Sequence, residues 1–249
     1  MIRTLRAAWR LARSVSHGLH GLAIVLLRFR SVDHAQREAY IQWWAAKMLR
    51  VLGIALRVEG TPHAGGTLMV ANHVSWLDIM AVHAVCPRAR FVSKADVRHW
   101  PLVSRLVDAG GTLYLERERK RDALRVVHLM ASALAAGEAV AVFPEGTTSD
   151  GRALLPFHAN LLQAAIATGT PVQPVVLRFS DRSDAVMSRA IEFVGETTLA
   201  QSLWRVAGGD AVVARVWLLP AVASAGADRR ALSDDLRRRI GAALDQALP

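Results

Sequence analysis

Apolar and polar positions follow different patterns on the two sides of residue 57. From residue 58 onward, short apolar runs alternate with longer segments of helical period, which is the pattern of an α/β domain. The apolar runs predict strands at Thr67–Ala71, Arg90–Ser93, Gly111–Leu115, Ala139–Phe143, Val172–Phe179, Ile191–Val194 and Val212–Leu219. The helical segments are Ser75–Ala84, Arg121–Ala136, Leu161–Thr168, Thr197–Val206 and Ala231–Leu248. We therefore expect residues 58–249 to form one α/β domain, a mixed, largely parallel sheet flanked by helices.

Residues 1–57 instead have the pattern of two amphipathic helices. At about 100° per residue, four arginines fall within an arc of about 80°, with apolar residues on the other side. These arginines are Arg3, Arg6, Arg10 and Arg13. A second segment repeats Tyr40, Trp43, Trp44, Lys47, Met48, Val51 and Leu52 at near-helical spacing. The apolar run 21–27 is far shorter than the roughly 20 residues of a membrane-spanning helix, so we expect an interfacial pair.

The distribution of charge indicates an anionic partner for this N-terminal pair. The chain carries a formal net charge of +10, and residues 1–60 hold ten Lys and Arg against three Asp and Glu. Tryptophans interleaved with arginines suit an anionic lipid surface, whereas no nucleic-acid motif is present. Packing against the core is the alternative for the second segment. We expect the protein at the cytoplasmic face of the inner or plasma membrane, without nucleic acid.

Cysteine content and motifs narrow the chemistry further. The single cysteine, Cys86, cannot form an intramolecular disulfide, which favours a reducing compartment. Arg28 and Arg30 stand where a signal peptide would have its small-residue cleavage site. Neither C-x-x-C nor H-E-x-x-H occurs, so no metal site is predicted from spacing.

The stretch ANHVSWLD, residues 71–78, places His73 and Asp78 five positions apart. Neither a helix nor a strand brings side chains at that spacing together. A strand that ends near Asn72, a short turn and a helix that starts at Ser75 would do so. The alternative is structural, because S-x-x-D is the pattern of a capping box, in which Asp78 only stabilises the helix start.

A second polar loop, FPEGTTS at residues 143–149, follows the apolar run AVAV. A strand that ends in a Pro-Glu-Gly turn is common and needs no function. Functionally, Gly146 would allow close approach of backbone to a ligand, Thr147 and Ser149 could donate hydrogen bonds and Glu145 could accept them. Because loops after strands at one sheet edge usually form the ligand crevice, we expect the two loops to share a site.

Four blocks in order make the chain resemble the glycerolipid acyltransferases typified by 1-acyl-sn-glycerol-3-phosphate acyltransferase. The family's N-H-x-x-x-x-D block matches ANHVSWLD, and its arginine block matches GGTLYLER, which ends at Arg117. Its F-P-E-G-T-x-S block matches FPEGTTS, and its P-x-x-P-V block matches Pro171–Val175. One departure follows the third block, where relatives often have basic residues and a glycine but this chain has His158-Ala159-Asn160.

The resemblance implies acyl transfer from acyl-CoA or acyl-carrier protein to the hydroxyl of a lysophospholipid, without a cofactor. His73 would be the general base, and Asp78 would orient it. Arg117 would hold the acceptor phosphate, and Glu145 and Gly146 would help to seat the glycerol. Lys94 could contact an anion or face solvent.

The expected acceptor is the sn-2 hydroxyl of 1-acyl-glycerol-3-phosphate, which would give phosphatidic acid. The alternative is another lyso-lipid such as lyso-ornithine lipid. A lipid hydrolase of the serine type would require G-x-S-x-G, which is absent. A non-catalytic membrane-surface protein would leave His73, Asp78 and the Pro-Glu-Gly loop without a purpose.

Overall fold

The computed structural model describes residues 2–94, 103–115 and 120–246. Side chains at the borders of these ranges, including those of Lys94 and Leu115, are outside the description. The helices are α1 Ile2–Leu27, α2 His34–Leu52, α3 Leu77–Val85, α4 Val103–Ala109, α5 Lys120–Ala135, α6 Gln163–Thr168, α7 Leu199–Gly208 and α8 Arg229–Gln246. The strands are β1 Ile54–Glu59, β2 Thr67–Ala71, β3 Ala89–Lys94, β4 Leu113–Leu115, β5 Ala139–Val142, β6 Val172–Ser180 and β7 Val212–Leu218.

The strands of the described ranges form one mixed sheet in the order β1-β7-β6-β2-β5-β3-β4. Strands β6 and β7 pair antiparallel, and the other neighbours pair parallel. One core lies beneath α2 and α3 and contains Leu49, Leu77 and Phe179. The other lies beneath α5, α6 and α8 and contains Met130 and Leu236. The predicted fold class is therefore confirmed, and β2 and β5 end side by side near the centre of the sheet.

Three elements differ from the predictions made from sequence. Strand β1 was not predicted, because it is a mostly exposed edge strand without a continuous apolar run. Strand β1 spans position 57, where the sequence analysis divides the N-terminal helices from the α/β domain. That division stays a prediction. Helix α4 was also not predicted. The predicted strand Ile191–Val194 is wrong, since this segment has no ladder partner and Ile191 is buried in the core from a loop.

The N-terminal segment forms the expected pair of helices, joined by a turn. Asp33 caps α2 by accepting a hydrogen bond from the backbone N–H of Gln36 at 2.8 Å. Gly21 lets α1 approach α2 closely, because a Cβ at this position would lie 2.2 Å from Nε1 of Trp44. Trp44 Nε1 in turn donates a hydrogen bond to the carbonyl oxygen of His17 at 3.1 Å.

The orientation of α1 corrects one expectation from the sequence for two of its four arginines, since Arg6 and Arg10 face α7 and not lipid. Arg6 donates to Asp210 at 2.7 Å and to the carbonyl oxygen of Gly208 at 3.0 Å. Arg10 donates to the carbonyl oxygens of Ala207 and Gly209. These carbonyls belong to the end of α7, where the helix dipole favours a cation. Helical period alone cannot distinguish arginines that face lipid from arginines that anchor the helix.

Six large apolar residues of α1 are exposed. Between 54% and 76% of the surface of each is accessible to solvent, and they are Leu5, Trp9, Val15, Leu19, Leu26 and Leu27. We call these six residues the apolar stripe. Within the described ranges, no helix combines the length and the apolar character needed to cross a bilayer.

Candidate active site

The loop between β2 and α3 brings His73 and Asp78 together, as their spacing predicted. Nδ1 of His73 lies 2.7 Å from Oδ2 of Asp78. A carboxylate only accepts hydrogen bonds, so Nδ1 carries the proton and Nε2 is left with its lone pair. The side chain of Asp78 is fully buried, whereas that of His73 is 19% exposed. This is the arrangement of a histidine held as a base by a buried carboxylate.

Asp78, the second residue of α3, also organises the backbone of the loop that precedes the helix. Its Oδ2 accepts the backbone N–H groups of Val74 at 2.7 Å and Ser75 at 2.9 Å. The reciprocal half of a capping box is absent, because the N–H of Asp78 donates to the carbonyl of Ser75 and the hydroxyl of Ser75 has no partner among the described residues. Asp78 therefore fixes both the loop and the imidazole.

The second loop forms hydrogen bonds with both backbone polar groups of His73. The N–H of His73 donates to Oε1 of Glu145 at 2.8 Å, and its carbonyl accepts the N–H of Ser149 at 2.8 Å. Oε2 of Glu145 accepts the N–H of Leu155 at 2.9 Å. Burial raises the pKa of Glu145, while these two backbone N–H groups lower it. Glu145 thus joins three segments of chain at the site.

Phe143 stacks face to face on the imidazole of His73, with ring centroids 4.0 Å apart and planes 9° apart. Phe91 on β3 lies behind Phe143, with a centroid distance of 5.6 Å. The stack restricts rotation of the imidazole about its Cβ–Cγ bond, because the ring would otherwise collide with Phe143. The hydrogen bond to Asp78 fixes the direction in which Nδ1 points. Together they leave His73 one orientation.

Gly146 allows the turn that returns Glu145 toward His73. Its φ is +70°, in the left-handed region that favours glycine, and its N–H donates to the carbonyl of Phe143 at 3.1 Å. This is a conformational reason for a glycine that sequence reasoning assigned to close approach of a ligand. Thr147 follows the turn and is exposed.

Two predicted anion-binding residues cannot be placed relative to His73. Arg117 lies outside the described residues. Lys94 ends β3, where its backbone pairs with Leu115, but its side chain is outside the description. Their predicted contacts with the acceptor stay predictions.

Sequence reasoning missed the roles of Asn72 and Phe143, and it expected Ser149 to donate to a ligand, whereas its backbone N–H donates to the carbonyl of His73. Asn72 is buried and pairs with the backbone of β6, donating to the carbonyl of Leu177 at 2.9 Å and accepting its N–H at 2.8 Å. Asn72 lies within the ANHVSWLD motif, but its partner Leu177 is 105 residues away in the sequence. In the described part of the chain, no group of three or more His, Cys, Asp or Glu side chains is placed to hold a metal ion.

Comparison with known proteins identifies the family of this site. The family model described as Acyltransferase matches residues 55–178, which include both loops. The lyso-ornithine lipid O-acyltransferase of Pseudomonas aeruginosa is 35% identical over 246 residues, covering 98% of this chain and 94% of that protein. The chain belongs to the Acyltransferase family. It is an acyltransferase, and the resemblance stated from the four blocks is confirmed.

A second relative and a solved structure are also similar to this chain. The 1-acyl-sn-glycerol-3-phosphate acyltransferase of Neisseria meningitidis is 36% identical over 199 residues, covering 78% of this chain and 76% of that protein. The crystal structure of the 1-acyl-sn-glycerophosphate acyltransferase from Thermotoga maritima shares the fold, with a TM-score of 0.67 at 20% identity. It covers 95% of this chain and 97% of that one.

Proposed function

We propose that this acyltransferase transfers a fatty acyl group from a thioester to the hydroxyl of a lyso-lipid, with His73 as the general base. The observation that carries the proposal is the pair of His73 and buried Asp78. Among the described residues, Nε2 of His73 has no hydrogen-bond partner, so it is available to a substrate hydroxyl. General-base catalysis of this kind typically contributes about 10²–10⁴-fold.

The proposed step needs no nucleophile from the protein. Nε2 of His73 removes the proton of the lipid hydroxyl while the oxygen attacks the thioester carbonyl. The new C–O bond forms, the C–S bond breaks, and the departing sulfur takes the proton from the imidazolium. Asp78 stabilises that imidazolium, and Phe143 holds its ring plane. The donor is acyl-CoA or acyl-carrier protein as a co-substrate, with no cofactor.

The acceptor that the comparisons support is lyso-ornithine lipid. The Pseudomonas protein of that name matches nearly the whole length of this chain, whereas the Neisseria 1-acyl-sn-glycerol-3-phosphate acyltransferase matches 78% of it. The departure at His158-Ala159-Asn160, where relatives often have basic residues, agrees with an acceptor that lacks a phosphate monoester. The four blocks alone favour 1-acyl-glycerol-3-phosphate, which is the second candidate.

In the second candidate, Arg117 holds the phosphate, because a guanidinium can bind two phosphate oxygens at once. Arg117→Ala should then reduce kcat/KM for lysophosphatidate far more than for lyso-ornithine lipid. Arg117→Lys should restore part of the loss through its charge. Equal losses for both acceptors would remove Arg117 from headgroup recognition.

We also propose that the apolar stripe of α1 rests on the membrane from which the acceptor comes. Exposed aliphatic residues with a tryptophan form the apolar face expected of an interfacial helix. Because Arg6 and Arg10 are held by α7, insertion of apolar side chains provides most of the attachment, at the cytoplasmic face of the inner or plasma membrane. Sedimentation with vesicles should therefore persist at high salt.

One assay tests acceptor and donor together. Purified enzyme is given palmitoyl-CoA or palmitoyl-acyl-carrier protein with each of three lyso-lipids: lyso-ornithine lipid, lysophosphatidate and lysophosphatidylcholine. We expect the highest kcat/KM for lyso-ornithine lipid. A higher value for lysophosphatidate would select the second candidate, and release of free fatty acid without acylated lipid would contradict acyl transfer.

A further inference from the structure

Three arginines lie side by side across one face of the sheet, on strands that carry no residue of the active site. Arg57 on β1 is in register with Arg215 on β7, which is in register with Arg178 on β6. In-register residues of neighbouring strands point to the same face, about 4.8 Å apart from strand to strand. This face belongs to the core of Trp217 and Leu236, whereas Phe143 packs against the core on the other face.

The three guanidinium groups lack carboxylate partners. In the described ranges, none of them lies within 4.0 Å of an acidic oxygen, although the structure contains several other arginine–carboxylate pairs. Arg57 is exposed, Arg215 is half-buried and Arg178 is only 4% exposed. Arg215 donates to the hydroxyl of Ser180 at 2.9 Å. The row therefore leads from solvent to a buried cation.

Arg178 is the most unusual member of the row. One of its nitrogens, Nη2, donates to the carbonyl of Leu244, but Nε and Nη1 are buried without a partner among the described residues. Its guanidinium carbon lies 6.0 Å from the ring centroid of Trp217. Burial lowers the pKa of Arg178, and nearby Arg215 lowers it further, while Asp245 raises it. Buried unpaired N–H groups are costly, and an unfilled ligand site explains such groups.

A groove of about 770 Å³ lies beside the row, and of the three arginines it is Arg215 that lines its described walls. Its walls combine charge with apolar surface, and they include Arg182, Val213, Arg215, Trp217, Leu219 and Ala243. Two carboxylates also border it, Glu59 and Asp181. The carboxylate of Asp181 already accepts hydrogen bonds from the hydroxyls of Ser183 and Ser188. We call this feature the arginine groove.

We propose that the arginine groove is a second ligand site, which binds a small organic phosphate. Arg215 and Arg182 contact the phosphoryl oxygens from the walls of the groove. Arg57 adds positive charge from the neighbouring strand, and Arg178 adds it next to Trp217. Guanidinium groups suit phosphate because their planar donors match its oxygens. Trp217, Val213 and Leu219 provide an apolar wall for the organic part. The proposal concerns binding alone and does not depend on the acyl-transfer step.

Calorimetry with three probes tests the site and identifies the source of the phosphate. The probes are inorganic pyrophosphate, coenzyme A, and dihexanoyl phosphatidic acid below its micelle concentration. We expect at least one of them to bind, with an affinity that falls as salt rises. Binding of coenzyme A alone would assign the site to a nucleotide phosphate. Binding of the phosphatidic acid alone would assign it to a lipid headgroup.

Matched charge variants decide whether the groove is where the probe binds. Arg57→Gln and Arg215→Gln, singly and together, should weaken binding by at least tenfold, whereas Arg230→Gln, exposed at the other end of α8, should not. Arg57 is exposed, so its variant is expected to fold, and thermal unfolding checks each protein. The proposal is wrong if no probe binds, or if folded Arg57→Gln and Arg215→Gln proteins bind as tightly as Arg230→Gln.

Discussion

Asp78→Asn separates a catalytic carboxylate from one that only supports a helix start. Oδ2 of Asp78 accepts three hydrogen bonds, from Nδ1 of His73 and from the N–H groups of Val74 and Ser75. The asparagine oxygen must take that position, since an NH2 group there would face three donors. The loop geometry and the tautomer of His73 are then kept, and the negative charge beside the imidazole is lost.

We expect Asp78→Asn to lower mainly kcat. Without the carboxylate, the imidazolium formed in the transition state loses its counter-charge, and we expect kcat to fall by about 10²–10⁴-fold. At 1.36 kcal/mol per tenfold, this is roughly 3–5 kcal/mol of transition-state stabilisation. The stability cost is smaller. The new NH2 replaces Oδ1, which has no partner among the described residues, and a buried unpaired polar group costs about 1–3 kcal/mol.

The assay is acyl transfer under saturating lyso-lipid and acyl-CoA, with thermal unfolding measured on the same preparations. Ser75→Ala is the matched control, because it removes a buried hydroxyl of the same loop and leaves the carboxylate in place. We expect Ser75→Ala to keep near wild-type activity. Asparagine caps helices about as well as aspartate. Folded Asp78→Asn protein with near wild-type kcat would therefore refute a catalytic role for Asp78.

Three further outcomes follow from burial and exposure. Glu145→Gln should lower Tm and kcat together, because its NH2 would face the N–H of His73 or Leu155. Since burial raises the pKa of Glu145, its part of the folding stability falls as pH rises from about 4.5 through the folded-state pKa, and chemical unfolding of Glu145→Gln should lack this pH dependence. Burial lowers the pKa of His83 to about 4, so protonation of His83 should cost about 3 kcal/mol of folding stability as pH falls from 6.5 to 4, and urea unfolding of His83→Gln should lack this part of the loss. Trp9→Gln with Leu19→Gln should reduce sedimentation with vesicles while Tm stays within a few degrees of wild type; unchanged sedimentation would contradict attachment through the apolar stripe.

The fold class was predictable because its central strands are buried on both faces. Strands β2 and β5 are continuous apolar runs, TLMV and AVAV, and each is followed by a polar loop. Strand β1 carries no such signal, because it lies at the edge of the sheet and only Ile54 is fully buried. The segment at Ile191 gave a false signal for a strand, since its apolar residue fills the core without pairing with a strand. Burial is visible in a sequence, whereas strand pairing is not.

The pairing of His73 and Asp78 was predictable from local geometry, because only a strand-to-helix turn satisfies their spacing. The contacts between the two loops were not predictable in the same way. The contact of Glu145 with the backbone of His73 joins residues 72 positions apart, and the contact of Asn72 with Leu177 joins residues 105 apart. These contacts depend on the order of strands in the sheet. Similarly, Arg6 and Arg10 of α1 bind the end of α7, about 200 positions away.

The central claim is that His73 activates a lipid hydroxyl for attack on an acyl thioester. The most direct measurement follows thiol release and acylated lipid together, in wild type and in His73→Ala, with lyso-ornithine lipid and palmitoyl-CoA. We predict one equivalent of acylated lipid per thiol in wild type. In folded His73→Ala protein, both should fall by at least 10²-fold. Near wild-type formation of acylated lipid by folded His73→Ala protein, or thiol release without acylated lipid in wild type, would contradict the claim.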